Sequence, residues 1–71
     1  MILTTGEFIA EKRSAAQLSQ GALAEKVGAT RVSVSRWERD INKPSARQVI
    51  NLAAVFGCTS DEILRLGTAS E

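Results

Sequence analysis

The chain has no histidine and a single cysteine, and each shortage closes a route to stability or chemistry. Without a second cysteine no internal disulfide can form, and without histidine Cys58 makes a poor start for a zinc site. The same shortages argue against catalysis, because no imidazole can act as general base and none activates the thiol. No glycine-rich phosphate loop or cluster of metal ligands occurs, so the expectation is a non-enzyme with no cofactor and no metal. Long apolar runs are missing too. Nothing approaches the roughly 18 residues of a membrane span, and Met1 to Thr5 lacks the basic flank of a signal peptide. A soluble, cytoplasmic protein without a membrane partner is expected. Nor is there a large excess of basic charge: nine Lys and Arg against eight Asp and Glu leave +1. Any contact with a polyanion must therefore come from a local patch.

What remains is enough for one domain. A chain of 71 residues buries roughly 60% of its unfolded surface. With disulfide and metal closed off, a well-specified helical core is the remaining means of holding so small a fold. The 44% apolar and 24% charged residues suit a globular chain, not a disordered one. No segment alternates with period two, β-branched residues are scattered, and no repeat is visible.

Five helices can be read from caps and stops. Thr4-x-x-Glu7 is a capping-box pattern that opens the first, carrying Phe8, Ile9 and Ala16. Ser19 caps a short second helix with Leu23, Ala24 and Val27, stopped by Gly28. Thr30 caps a third, from Arg31 to about Arg39, with Val34 and Trp37 three apart. Asp40 to Pro44 is a polar loop ending in the only proline. Ser45-x-x-Gln48 opens a fourth helix with Val49, Leu52, Ala53 and Phe56 on one face, stopped by Gly57. Thr59-x-x-Glu62 opens a fifth through Ile63, Leu64 and Leu66 to Gly67, and residues 67–71 form a frayed tail. Caps, stops and apolar faces all point to a compact all-α domain over residues 1–71, its core at about 6–66.

The second and third helices are joined so tightly that they must cross steeply. They could form an ordinary corner, or they could present the third helix outward. On a helical wheel, Val34 and Trp37 face a core, while Val32, Arg36 and Arg39 face away, with Arg31 and Ser35 at the edge. That outward face holds three arginines and no acid, unlike the Glu and Lys mixture of a solvated surface. Arginine can donate bidentately to guanine O6 and N7, and valine can pack on a thymine methyl.

The run Leu18-Ser19-Gln20-x-x-Leu23-Ala24-x-x-Val27-Gly28-x-Thr30-x-x-x-Val34-Ser35-Arg36-Trp37-Glu38-Arg39 resembles the helix-turn-helix of phage repressor and Cro-like proteins, the XRE-type bacterial regulators. The likeness extends from about Gly6 to Leu66, through the Pro44 loop and Asn51 to Leu64. It implies a lambda-repressor-like five-helix fold and sequence-specific binding of double-stranded DNA, by a homodimer on a pseudo-palindromic operator. By the same resemblance, Arg31, Val32, Ser35 and Arg36 meet base edges. Ser19, Gln20, Ser33, Arg39, Lys43 and Arg47 meet phosphates, with Gln20 also bracing the third helix. Arg13 and Glu38 would form a structural ion pair, the rival role for Arg13 being a free phosphate contact. Trp37 is expected in the core rather than on a base, and Cys58 as an inert small residue. The resemblance would place the dimer surface around Cys58 to Leu66.

Three residues depart from the family pattern. Gln17 and Asp40 stand where a glycine or asparagine often ends a helix, so each must tolerate left-handed backbone or the turn must differ. Ala22 replaces an acid that often completes the second helix's cap. A second reading of the chain is a protein-interaction module such as an antitoxin, with partner binding primary. Charge distribution favours DNA: residues 31–47 hold five basic and two acidic side chains, while residues 48–71 hold one basic and three acidic.

Overall fold

The computed structural model describes residues 3–63. Helix α1 spans Thr5–Ala15, α2 Gln20–Val27, α3 Arg31–Glu38 and α4 Ala46–Phe56. Residues 60–63 are helical again, opening the fifth element. The course of that element through Leu64 and Leu66 to Gly67, and the tail at 67–71, lie outside the described residues. The fold is all-α, and among the described residues no helix is long and apolar enough to cross a membrane.

Each start is fixed by a hydroxyl. Thr4, Ser19, Thr30 and Ser45 accept from the backbone N–H three residues on, and Thr4–Glu7 and Ser45–Gln48 form complete capping boxes. Thr59 likewise accepts from Glu62 N at 3.2 Å. Without an acid in its first turn α2 still has its cap, Ser19 Oγ to Ala22 N at 3.0 Å.

The helices α1 to α4 also stop by one device. The N–H of Leu18, Ala29, Ile41 and Cys58 reaches back five residues, to the carbonyls of Arg13, Ala24, Arg36 and Ala53. This closure needs one left-handed residue before the donor. Gly28 and Gly57 supply it in two helices, Gln17 (φ 59°) and Asp40 (φ 58°) in the others. The last two carry a Cβ into a region that disfavours it by roughly 1–2 kcal/mol.

The buried core draws Ile9 from α1, Leu23, Ala24 and Val27 from α2, and Val34 and Trp37 from α3. Val49, Leu52 and Ala53 from α4, with Ile63, complete it. Phe8, Leu18, Ala29, Val55, Phe56 and Cys58 pack against its edge. Burying each large aliphatic side chain stabilises the fold by about 1.5–3 kcal/mol before entropy is charged against it. Because α3 contributes only Val34 and Trp37 to this core, the rest of its circumference is left for other work.

Candidate nucleic-acid interface

The link from α2 to α3 is Gly28-Ala29-Thr30, with Ala29 against the core and Thr30 as cap. Thr30 Oγ1 accepts from Ser33 N at 3.1 Å and also donates to the hydroxyl of the half-buried Ser33 at 3.1 Å. With both ends of the turn fixed, the direction of α3 is set by what holds its far end.

That hold is polar. Glu38, the last residue of α3, accepts from Arg13 Nε at 2.6 Å, Arg13 Nη2 at 3.2 Å and Gln20 Nε2 at 3.0 Å. A third bond from the Arg13 guanidinium, Nη1 to the Leu18 carbonyl at 2.7 Å, ties in the turn after α1. One carboxylate thus joins three helices. The Glu38 side chain is 8% exposed and that of Arg13 21%, so the pair is largely shielded from water. Its hydrogen bond to Glu38 raises the Arg13 guanidinium above its ordinary range. Partial burial opposes that rise, and attraction to the Glu38 charge adds to it. Arg13 is therefore spent on structure, and one of the two N–H donors of the Gln20 amide is engaged there too.

The opposite side of α3 is open. Arg31, Val32 and Arg36 are exposed, Val32 at 56%, and Ser35 is half-buried between them. Gln20, Arg31, Val32, Ser35 and Arg39 line one cleft of about 170 Å³ between α2 and α3. Arg36 is not in this cleft; it stands exposed on its own. Arg39 is turned toward its own helix, Nε donating to the Ser35 carbonyl at 3.3 Å, and its charge there complements the negative helix end. Lys43 and Arg47 are exposed in the following loop and at the start of α4, and Ser19 is exposed at the start of α2. The arrangement presents Arg, Ser and Val groups along one face with no acid among them. It suits a polyanion carrying a pattern of acceptors and methyl groups.

Two contacts escape a reading by local spacing. Asp40 does more than turn the chain: its carboxylate accepts from Thr4 Oγ1 at 2.6 Å and Gly6 N at 2.9 Å. Asn51 Nδ2 donates to the Val27 carbonyl at 3.3 Å, tying α4 to the end of α2. The available signal for Asp40 was its residue type, since a glycine would adopt the same backbone with less strain. Cys58 is half-buried, and burial pushes its thiol up from the ordinary value. Glu62 adds to the rise, and Lys12 and a backbone hydrogen bond oppose it.

Comparison with known proteins gives concordant findings. The family described as "Helix-turn-helix" matches residues 9–63. Repressor protein C2 of Salmonella phage P22 is 32% identical over 60 residues, 84% of this chain and 28% of that protein. The HTH-type transcriptional regulator DicA of Escherichia coli K12 is 36% identical over 62 residues, 87% of this chain and 46% of that protein. The chain thus spans less than half the length of either relative. The P22 c2 repressor in complex with a synthetic operator superposes with a TM-score of 0.83 at 30% identity, covering 86% of this chain and 92% of that one. A chain of the SinR protein/SinI protein complex superposes at 0.79 with 26% identity, covering 100% and 67% respectively.

Proposed function

The chain belongs to the helix-turn-helix family, and on that premise we propose that it binds double-stranded DNA sequence-specifically as a repressor-type transcriptional regulator. The observation that carries this reading is the division of α3. Val34, Trp37 and Glu38 are taken up by the fold, whereas Arg31, Val32, Ser35 and Arg36 face outward with no acid beside them.

In this reading α3 enters the major groove. Arg36 and Arg31 donate to guanine edges, Val32 packs on a thymine methyl, and Ser35 bonds a base within reach. Ser19 and Gln20 at the start of α2, Ser33, Arg39, Lys43 and Arg47 meet phosphates, which fix register without specifying sequence. One N–H of the Gln20 amide is bonded to Glu38, which braces α3 and leaves the second N–H for a phosphate. The P22 c2 repressor is bound to an operator in its solved complex, and this chain shares the fold of that part and is 30% identical to it. Two copies would occupy half-sites about 34 Å apart. Their contact would lie around Cys58 to Leu66, of which residues 64–66 are outside the described part. The place of action is the cytoplasm, on the nucleoid, and no catalysis is involved.

Selection of bound duplexes from a random library tests this directly. A recurring half-site with two-fold symmetry is expected, and a pool that never enriches any motif refutes it. A second reading, in which a protein partner comes first, is favoured by one finding: a similar chain lies in the SinR protein/SinI protein complex. Co-purification of a stoichiometric partner together with failure to enrich DNA would select that alternative.

A further inference from the structure

Asp40 stands directly after α3 in left-handed backbone, at φ 58°, a conformation that glycine adopts without strain. Its carboxylate is fully engaged on another helix. Oδ1 accepts from Gly6 N at 2.9 Å and Oδ2 from Thr4 Oγ1 at 2.6 Å. Thr4 is the cap of α1, and its hydroxyl simultaneously accepts from Glu7 N at 3.0 Å. Glu7 Oε1 in turn accepts from Thr4 N at 2.9 Å. Three N–H groups at the start of α1, those of Thr4, Gly6 and Glu7, are thereby satisfied, one of them by a side chain 34 residues away. A carboxylate at this end of a helix also meets the positive end of its dipole.

The backbones are equally close. A Cβ on Gly6 would stand 2.7 Å from the Glu38 carbonyl and nearer still to that of Trp37, so the first turn of α1 rests on the last turn of α3. Glu38 is held from the other side by Arg13 and Gln20. The end of α3 is therefore seated between two fastenings. Asp40 is the one that also opens the loop carrying Lys43.

We propose that Asp40 is a positioning residue for DNA recognition. By clamping the start of α1 it sets the tilt of α3, and with it the reach of Arg36 and Lys43, without touching DNA itself. This rests on the DNA-binding reading above. A role limited to shaping the turn would be filled as well by glycine; a clamp would not.

The test is Asp40→Gly, with Asp40→Asn as the conservative variant. Each is compared with the wild type on the selected operator and on a random duplex at one salt concentration. Loss of folded protein lowers both affinities by the same factor, whereas a misdirected α3 changes their ratio. The expected result for D40G is a helical spectrum like the wild type's and a specific-to-random ratio lower by about tenfold, the scale of one base pair. D40N keeps an acceptor for Gly6 N–H and should recover most of that ratio. A wild-type ratio in D40G, parallel loss of both affinities, or a D40N as impaired as D40G overturns the proposal. A wild type that discriminates between no duplexes overturns the functional reading as well, so the two failures are separable.

Discussion

Removing Arg13 offers the most direct check on how α3 is held. In Arg13→Ala, Glu38 keeps only the Gln20 amide of its three donors, and the Leu18 carbonyl loses the Arg13 Nη1 donor. Breaking a fully buried ion pair by deleting one partner costs about 3–5 kcal/mol, whereas an exposed pair contributes under about 1 kcal/mol. With side-chain exposures of 21% and 8%, this pair lies nearer the buried limit, and the surviving Gln20 bond softens the loss. About 2–3 kcal/mol is therefore expected. A domain of this length has about 4–10 kcal/mol in total, so the loss is a large share and corresponds to a melting point lower by roughly 10–20 °C. Urea unfolding can be followed through Trp37, the sole tryptophan, which is 4% exposed and lies one residue from Glu38. A double-mutant cycle with Glu38→Ala should return a coupling above about 1 kcal/mol. A destabilisation under about 0.5 kcal/mol, with no coupling, would refute the reasoning, because values that small belong to exposed pairs. Binding gives an independent check. Well below the melting point, Arg13→Ala should leave the salt dependence of DNA affinity unchanged; a slope shallower by about one would reveal a phosphate contact instead.

Other expectations follow from individual residues. Arg36→Ala should erase discrimination at one base pair, by about 1–3 kcal/mol, measured on single-position operator variants. Lys43→Ala should weaken every duplex alike and reduce the salt slope by about one, which titrations at several salt concentrations would show. Gly6→Ala should lower the melting point, since its methyl meets the Glu38 carbonyl at 2.7 Å and the overpacking costs about 1–3 kcal/mol or more. Cys58, raised above its ordinary 9.0 mainly by burial, stays protonated in the fold at pH values where the unfolded chain ionises. Its contribution is whole below the unfolded value and lost as pH rises through the folded one. Melting points should therefore fall above about pH 9, less steeply in Cys58→Ala than in the wild type.

The elements were legible because their signals are local. A hydroxyl and the N–H it caps are three residues apart, a glycine stop adjoins its helix, and Val34 and Trp37 sort themselves from Arg36 by angle alone. For Gln17 and Asp40 the choice between left-handed backbone and a different turn is posed by the family pattern, and the structure places both in the left-handed region. The pairing of Arg13 with Glu38 came from likeness to a family rather than from spacing. What Asp40 does with its carboxylate was not legible. Thr4 and Gly6 lie 36 and 34 residues away, and no periodicity links them. Arg39 was read from its wheel position as part of an outward face. It is exposed on that face and lines the cleft with Arg31, Val32 and Ser35; what sequence angle does not contain is the bond of its Nε to the Ser35 carbonyl.

The division of labour along α3 bears on how such a chain can change. Val34, Trp37 and Glu38 anchor the helix, while Arg31, Val32 and Arg36 are exposed and lie outside the buried core. Exchanges at Arg31, Val32 and Arg36 could therefore retarget the protein with little penalty in folding. The scaffold is a socket in which an address can be rewritten at the surface. Divergence should run fast at those three positions and stay slow at Gly6, Arg13, Glu38 and Asp40, whose duties are shared among helices.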